Sequence, residues 1–417
     1  MTTIIAFILI LGLVILVHEL GHFISARKLK VTVEEFAIGF PPRIFGWRVW
    51  QEKKLKVLAK TEEVSVVDTV KEVDELETIT KRQWFWANKY KKEAAGDNPS
   101  IIYSINLLPI GGFVKIKGES GDDEPDDPNS LANQPKWKKL IIISSGVFMN
   151  FVLAFVLLSA AFYFGLPQAI DKETAGQKII DKRVVIAEVA KSSPAQEQGL
   201  KVGDEIILVN GQSFDNSQAV YESIAKNSKE EITLTINRSG ESEEIKVKPR
   251  VIDEGQNPVV GIGMIDTGII KYGLVGSLWQ GLKTTGIMIV RIVQALYYLL
   301  SDLIVHGRVG EEFGGPIAVA VVTGEIVKLG WIYILQFAAV LSINLGVLNF
   351  FPFPALDGGY ALFTLTEMIS RRKLNRKVET WIHNSGFIIL IALFVLITFR
   401  DLGRYGGQIM TAVRNWF

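Results

Sequence analysis

From Ile4 to Val17 the chain is almost continuously apolar, and His18-Glu19 interrupts the run before Phe23, Ile24 and Ala26. No Lys or Arg precedes this stretch, whereas Arg27, Lys28 and Lys30 follow it. A secretory leader carries its charges on the other flank, so the pattern predicts a retained span running from outside to inside. A second apolar run, Leu140 to Leu166, follows Lys136, Lys138 and Lys139 and should return to the outer face. A third, Trp331 to about Phe353, ends in a proline-broken turn, with Arg371, Arg372, Lys373, Arg376 and Lys377 beyond it. The fourth, Phe387 to Phe399, is bounded by Arg400 and Arg404. Four spans put both termini on the outer face and gather the strongest basic clusters inside. Leu274 to Val305 is apolar only in patches and carries Lys283, Arg291 and Asp302. A charge at a helix centre costs roughly 2.5–3.5 kcal/mol, so this stretch is expected to be an amphipathic outer-face helix, not a fifth span.

Polar stretches between the spans show other periods. Arg183 to about Asp253 alternates short β-like runs (Val184 to Ile186, Glu205 to Val209, Ile232 to Ile236, Glu244 to Val247) with turn signals at Asn210-Gly211 and Ser239-Gly240. Within it, Ser193-Pro194-Ala195, then Gly199 to Asp204 and Val209-Asn210-Gly211, resemble a PDZ domain, a module that binds extended peptides by strand addition. A spacer or size filter is an equal reading of the same β-rich segment. On the inner side, Phe36 to Trp47 and Ile101 to Lys117 are strand-like and Gly-punctuated. Gln51 to Asp97, rich in Lys and Glu and carrying Trp84-Phe85-Trp86, reads as a partly helical surface insertion with no assigned chemistry. The acidic run Asp122 to Asp127 reads as a solvated loop.

The expected fold class is therefore a polytopic α-helical membrane protein of four transmembrane helices, with a membrane-associated β-hairpin and an inserted β-rich PDZ-like domain. Its expected parts are a first span at 1–30, an inner-face loop at 31–135 and a second span at 136–167. The loop holds hairpin limbs 36–48 and 101–118 around the insertion 51–97. The PDZ-like domain follows at 183–253 and an outer-face linker at 270–330. The third and fourth spans occupy 331–399, and a tail fills 400–417.

Composition narrows the chemistry. The 417 residues are 48% hydrophobic and 21% charged with net charge +1, which gives no reason to expect a nucleic-acid partner. The chain has no Cys, which excludes disulfides, thiolate metal sites and cysteine nucleophiles. It has four His, and two of them stand four residues apart in His18-Glu19-Leu20-Gly21-His22. On a helix this spacing puts both imidazoles on one face with Glu19 beside them, a set that binds zinc while the carboxylate handles a water proton. Ionisable groups inside an apolar span are costly to insert and mark function. Catalytic zinc usually takes a third protein ligand. His306 lies in the outer-face linker and His383 precedes the last span, so neither is well placed. Asp357 is the better candidate. It sits in Asn349-Phe350-Phe351-Pro352-Phe353-Pro354-Ala355-Leu356-Asp357-Gly358-Gly359, where two prolines break the helix near the inner end of the third span. Non-helical backbone at membrane depth is tolerated only against protein or a water-filled cavity.

Taken together, the motif around His18, the Asn349–Gly359 motif and the intervening PDZ-like segment resemble the site-2 protease family of zinc intramembrane metalloproteases, most closely its bacterial sigma-factor-regulating branch (RseP-type). Ser342 to Leu348, Gly314-Gly315-Pro316-Ile317 and Gly39-Phe40-Pro41 are also similar to family segments. The resemblance implies zinc held by His18, His22 and Asp357, Glu19 as catalytic residue and Asn349 as a group that positions substrate. It implies that the strand-like limbs form a membrane-re-entrant hairpin pairing with unwound substrate. Its expected partners are transmembrane protein substrates already trimmed by another protease, within the bacterial inner membrane. Both termini and the PDZ-like domain would face outward. Two tandem PDZ domains are common in that branch; one is found here, and the 51–97 insertion is longer than the family leads one to expect. The rivals are a membrane metalloprotease whose third ligand is a downstream Glu, and a peptide-binding scaffold without activity.

Overall fold

The computed structural model describes residues 2–55, 76–87, 100–119, 127–170, 179–190, 192–227, 230–238, 240–250, 259–306, 314–372 and 375–414. Acidic residues 122–126 and insertion residues 56–75 and 88–97 lie outside them. The chain divides into two units: residues 1–154, 285–324 and 338–417 form the first, and 155–284 with 325–337 the second.

The first unit begins with α1 (Thr2–Lys28), a helix of apolar residues with Arg27 and Lys28 in its last turn, where cations favour the carboxyl end of the dipole. Three strands follow, β1 (Val33–Leu55), β2 (Leu76–Trp86) and β3 (Ser100–Ile116), all in one antiparallel sheet. β1 and β3 each bend midway. Phe36 pairs with both Tyr103 and Val114, and Trp47 pairs with Tyr103 on one side and Trp84 on the other. Across the sheet the order is thus β2, the second half of β1, the first half of β3, the first half of β1 and the second half of β3. The expected hairpin limbs both lie in this sheet. The described parts of the 51–97 insertion are the end of β1 and the strand β2, where partial helix was expected: Glu77, Lys81 and the adjacent Arg82 break the clean alternation of a strand whose Trp84 and Trp86 share one face.

The second half of β3 runs along α1. A Cβ on Gly111 would stand 2.6 Å from Ile15, and one on Gly112 would stand 2.4 Å from the Ala37 carbonyl, so only glycine lets the strand lie so close. A small apolar cluster of Ala26, Val31, Val33, Ile116, Leu131 and Ile142 ties α1, β1 and β3 to α2 (Lys136–Phe164). Later in the chain stand α6 (Pro316–Leu329), α7 (Trp331–Phe350), α8 (Asp357–Ser370) and α9 (Arg376–Arg414).

The second unit is built on a six-stranded antiparallel sheet, β4 (Pro167–Ala169), β5 (Ile179–Val189), β6 (Glu205–Val209), β7 (Ile232–Arg238), β8 (Glu241–Val247) and β9 (Ile262–Ile270), in the order β4-β9-β5-β6-β7-β8. Helices α3 (Pro194–Glu197) and α4 (Ser217–Lys226) start at Ser193 and Asn216, whose side chains accept backbone N–H groups in the way helix N-caps do. Val184, Ile186, Leu200, Val209, Ile232 and Leu234 are among its buried core residues. The sheet thus reaches beyond 183–253, through β4 before it and β9 after it.

Among the described residues five helices are long and apolar enough to cross a membrane: Thr2–Lys28, Lys136–Phe164, Leu274–Asp302, Trp331–Phe350 and Lys377–Gly407. The third belongs to α5 (Leu274–His306), the stretch expected to be amphipathic. It is the least apolar of the five and has little of its length buried.

Candidate metal centre

On α1, His18 and His22 occupy the buried face that also presents Val14, Gly21 and Ala26. Small residues let α2 approach that face closely. A Cβ on Gly21 would lie 2.3 Å from the Ser145 carbonyl oxygen. One on Gly146 would lie 2.3 Å from His22 Nε2 and 2.8 Å from His18 Nε2, inside the space between the two imidazoles.

Asp357 arrives from a different direction. α7 ends at Phe350, and the proline-containing turn to Leu356 reverses the chain so that Asp357 opens α8. The turn is compact: Gly358 could not carry a Cβ, which would stand 2.2 Å from the Phe351 carbonyl oxygen, and Gly359 would meet that of Phe353 at 2.4 Å. Ala355 sits at φ 74°, and its N–H donates to His383 Nδ1 at 2.9 Å. His383 is itself stacked on Tyr360, 3.8 Å between ring centroids. His383, which the sequence does not favour as a ligand, instead holds the loop that carries Asp357.

The three side chains meet. His18 Nε2 is 3.0 Å and His22 Nε2 3.3 Å from Asp357 Oδ2, and the two ring nitrogens are 3.2 Å apart. The other ring nitrogens are already committed. His22 Nδ1 stands 2.8 Å from the Ile142 carbonyl, to which it donates as N–H, leaving the Nε2 lone pair free. His18 Nδ1 lies 3.2 Å from the Asn150 amide, whose Oδ1 is buried without a partner. With that oxygen turned to the ring, Nδ1–H donates to it and His18 Nε2 also keeps its lone pair. Two lone pairs and a carboxylate converging on one point repel unless a cation or a proton lies between them. The donor set, two imidazoles and one carboxylate, is one that zinc takes, with outer hydrogen bonds of the kind that orient metal-binding histidines. The residues fit the metal.

Two further groups border the centre. The Asn349 amide is 3.3 Å from His18 Nε2. Glu19 Oε2 accepts the Val114 N–H at 3.0 Å, from the outer edge of β3. A cavity of about 430 Å³ opens beside the site, with His22, Asp357, Tyr360, Glu119 and Lys136 among its lining residues. Sequence reasoning passed over Asn150, Gly146 and Val114. The polar Asn150 within the apolar run of α2 was the one signal available for any of them.

Two buried histidines on a membrane-length helix, meeting a half-buried carboxylate, are the donor set of a metal-dependent enzyme set in a membrane. The sequence matches peptidase family M50 over residues 6–60 and 94–393, so the chain belongs to that family, the site-2 proteases: it is a membrane-embedded metalloprotease with zinc as its cofactor. Among its relatives, a protein of Fusobacterium nucleatum provisionally named a zinc metalloprotease is 31% identical over 408 residues, spanning 96% of this chain and 98% of that protein. The regulator of sigma-W protease RasP of Bacillus subtilis is 27% identical over 439 residues, 96% of this chain and 98% of its own. Among solved structures, the PDZ domain of an SdrC-like protein from Listeria innocua is similar over 20% of this chain and 92% of that domain, with 28% identity and a TM-score of 0.18.

Proposed function

We propose that the protein hydrolyses peptide bonds within the transmembrane segments of membrane-protein substrates, with His18, His22 and Asp357 as zinc ligands and Glu19 as the acid/base. The observation that carries this reading is the convergence of three ligand atoms, within 4.8 Å of one another, two from a helix long and apolar enough to span a bilayer and one from the start of α8. Zinc, when bound there, supplies Lewis acidity toward water and the scissile carbonyl. Glu19, one residue after the first ligand, takes the proton of the attacking water and returns it to the leaving amine. The Val114 N–H holds one Glu19 oxygen, which fixes the carboxylate at the edge of β3. A substrate helix has its carbonyls tied up internally and must unwind before it is cut; the same strand edge offers the unwound segment a partner for its backbone. Asn349 orients the substrate beside His18, and the cavity next to His22 and Asp357 admits water.

In this reading four helices span a bacterial inner membrane, α5 lies on the outer face, and both termini and the PDZ-like domain face outward. The PDZ-like domain docks or filters substrates, admitting those already shortened by another protease. Purified Glu19→Gln protein is expected to keep its zinc and lose at least about 100-fold in cleavage of a model transmembrane substrate, and Asp357→Ala to lose both zinc and cleavage. Wild-type cleavage by Glu19→Gln overturns the role of Glu19, and retained zinc in Asp357→Ala moves the third ligand to another residue.

A further inference from the structure

The strand contributed by the insertion, β2, has no part in the metal centre, yet it displays the most exposed aromatic surface of the sheet. Trp84 and Trp86 are 59% and 69% exposed, while Phe85 between them, on the other face, is buried. Their cross-strand partners are Trp47 and Phe45. The rings form one connected row: Trp86 to Phe45 (5.0 Å), Phe45 to Trp84 (5.4 Å), Trp84 to Trp47 (5.3 Å) and Trp47 to Tyr103 (5.4 Å). Tyr103 then meets Phe23 of α1 at 6.0 Å. The row therefore starts on a membrane-length helix and runs outward across the sheet without a break.

Along the strands the chemistry is graded. At the bend of the sheet the exposed side chains are aliphatic or phenyl: Ile38, Phe40, Ile44, Ile105, Leu107 and Leu108. Next come the Trp and Tyr rings. Farther along β2, on the same face as Trp84, stand Arg82 and Thr80, both exposed. Aliphatic, then indole and phenol, then charged is the order of solvents met on leaving a bilayer: hydrocarbon, headgroup boundary, water. Indoles favour the boundary because the ring is apolar and its N–H wants a polar partner. An aqueous surface gives no reason for five exposed or half-exposed aromatic rings to stand in a row next to an aliphatic tip.

We infer that this face of the sheet is a lipid-binding surface, on which the inserted strand β2 adds Trp84 and Trp86 to an interfacial aromatic belt that sets how deep the sheet sits in the inner leaflet. The occupant is phospholipid at the headgroup–acyl boundary, and continuity with α1 through Phe23 and Tyr103 is what selects it. The inference stands on the fold of this unit and does not require the proposed cleavage of transmembrane segments.

The absence of Cys makes the test direct. Full-length protein carrying Trp86→Cys, Trp84→Cys or Thr80→Cys is labelled with a nitroxide and reconstituted into vesicles of phosphatidylethanolamine and phosphatidylglycerol. Collision rates with oxygen, which concentrates in the bilayer, and with a water-soluble nickel chelate are then compared. The labels at 84 and 86 are expected to favour oxygen, 86 more strongly than 84, and the label at 80 to favour nickel. Nickel-accessible labels at 84 and 86 place the face in water and overturn the inference. Labels shielded from both reagents mean that another protein segment or a second copy covers the face, which also overturns it. Should Trp86→Cys fail to fold, the Trp84→Cys label alone decides.

Discussion

At the scale of residues, the centre depends on which nitrogen of each imidazole is left with a lone pair. Ile142 settles this for His22 through a backbone carbonyl, which no substitution removes. Asn150 does so for His18 through a side chain that can be changed. Asn150→Leu keeps the branched shape and removes the acceptor, so His18 loses its fixed tautomer. Zinc affinity, measured by competition with a chelator, is expected to weaken about 10–100-fold, the usual cost of losing an outer hydrogen bond at a metal site. Asn150→Asp keeps an acceptor and is expected to bind zinc at least as well as wild type. Equal weakening by both variants would mean that Asn150 matters only for helix packing. His18, Glu19, His22 and Asp357 were legible in the sequence because their spacing and chemistry are unusual inside apolar runs. Asn150 and Gly146 were not, since their importance comes from the face that α2 turns toward α1, which one-dimensional pattern does not specify.

Among the elements, the second half of β3 is where the proposed mechanism joins catalysis to substrate capture. Its alternating N–H groups point either to β1 or away from it, and Val114 is one that points away, ending on Glu19. Val114→Pro removes that N–H and interrupts the edge, while leaving the three ligand side chains untouched. The variant is expected to retain zinc and to lose about two orders of magnitude in cleavage of a transmembrane substrate. Loss of zinc as well would show that the strand supports the fold of the centre and is not a separate device. Strand-like limbs could be read from the sequence around this element, although the double bend that gives β3 a free edge beside α1 could not. The same holds for β2. Its Glu77, Lys81 and Arg82 suggest a solvated insertion, and only pairing with β1 reveals that its tryptophans join Phe45 and Trp47 on one face.

For the whole molecule, the number of membrane crossings turns on α5, which has the length and apolarity of a span while carrying charges that a span resists. Lys283 and Arg291 lie within its apolar window and Asp302 at the end of it. At roughly 2.5–3.5 kcal/mol for each charge near a helix centre, insertion would consume most of what its patchy apolar surface returns. A surface helix instead keeps the charges wet and buries one face. The two topologies differ in a way that two positions expose. If α5 lies on the outer face, Lys271 before it and His306 after it are on the same side. If it spans, they are on opposite sides, and α6 to α9 are inverted, which would put Arg371, Arg372 and Lys377 outside against the charge rule. In a chain without native Cys, Lys271→Cys and His306→Cys can each be probed with an impermeant maleimide on intact cells. Both are expected to react before lysis, with Lys28→Cys as the inner control reacting only after it. Labelling of position 271 but not 306 before lysis would establish a fifth span. With α6 too short to cross back, it would also carry Asp357 to the side opposite the inner end of α1, against the 3.0 Å contact between His18 and Asp357. In the proposed topology, with α5 on the outer face, the basic clusters lie inside and α1 and α7 end on the same side, as the contact between His18 and Asp357 requires.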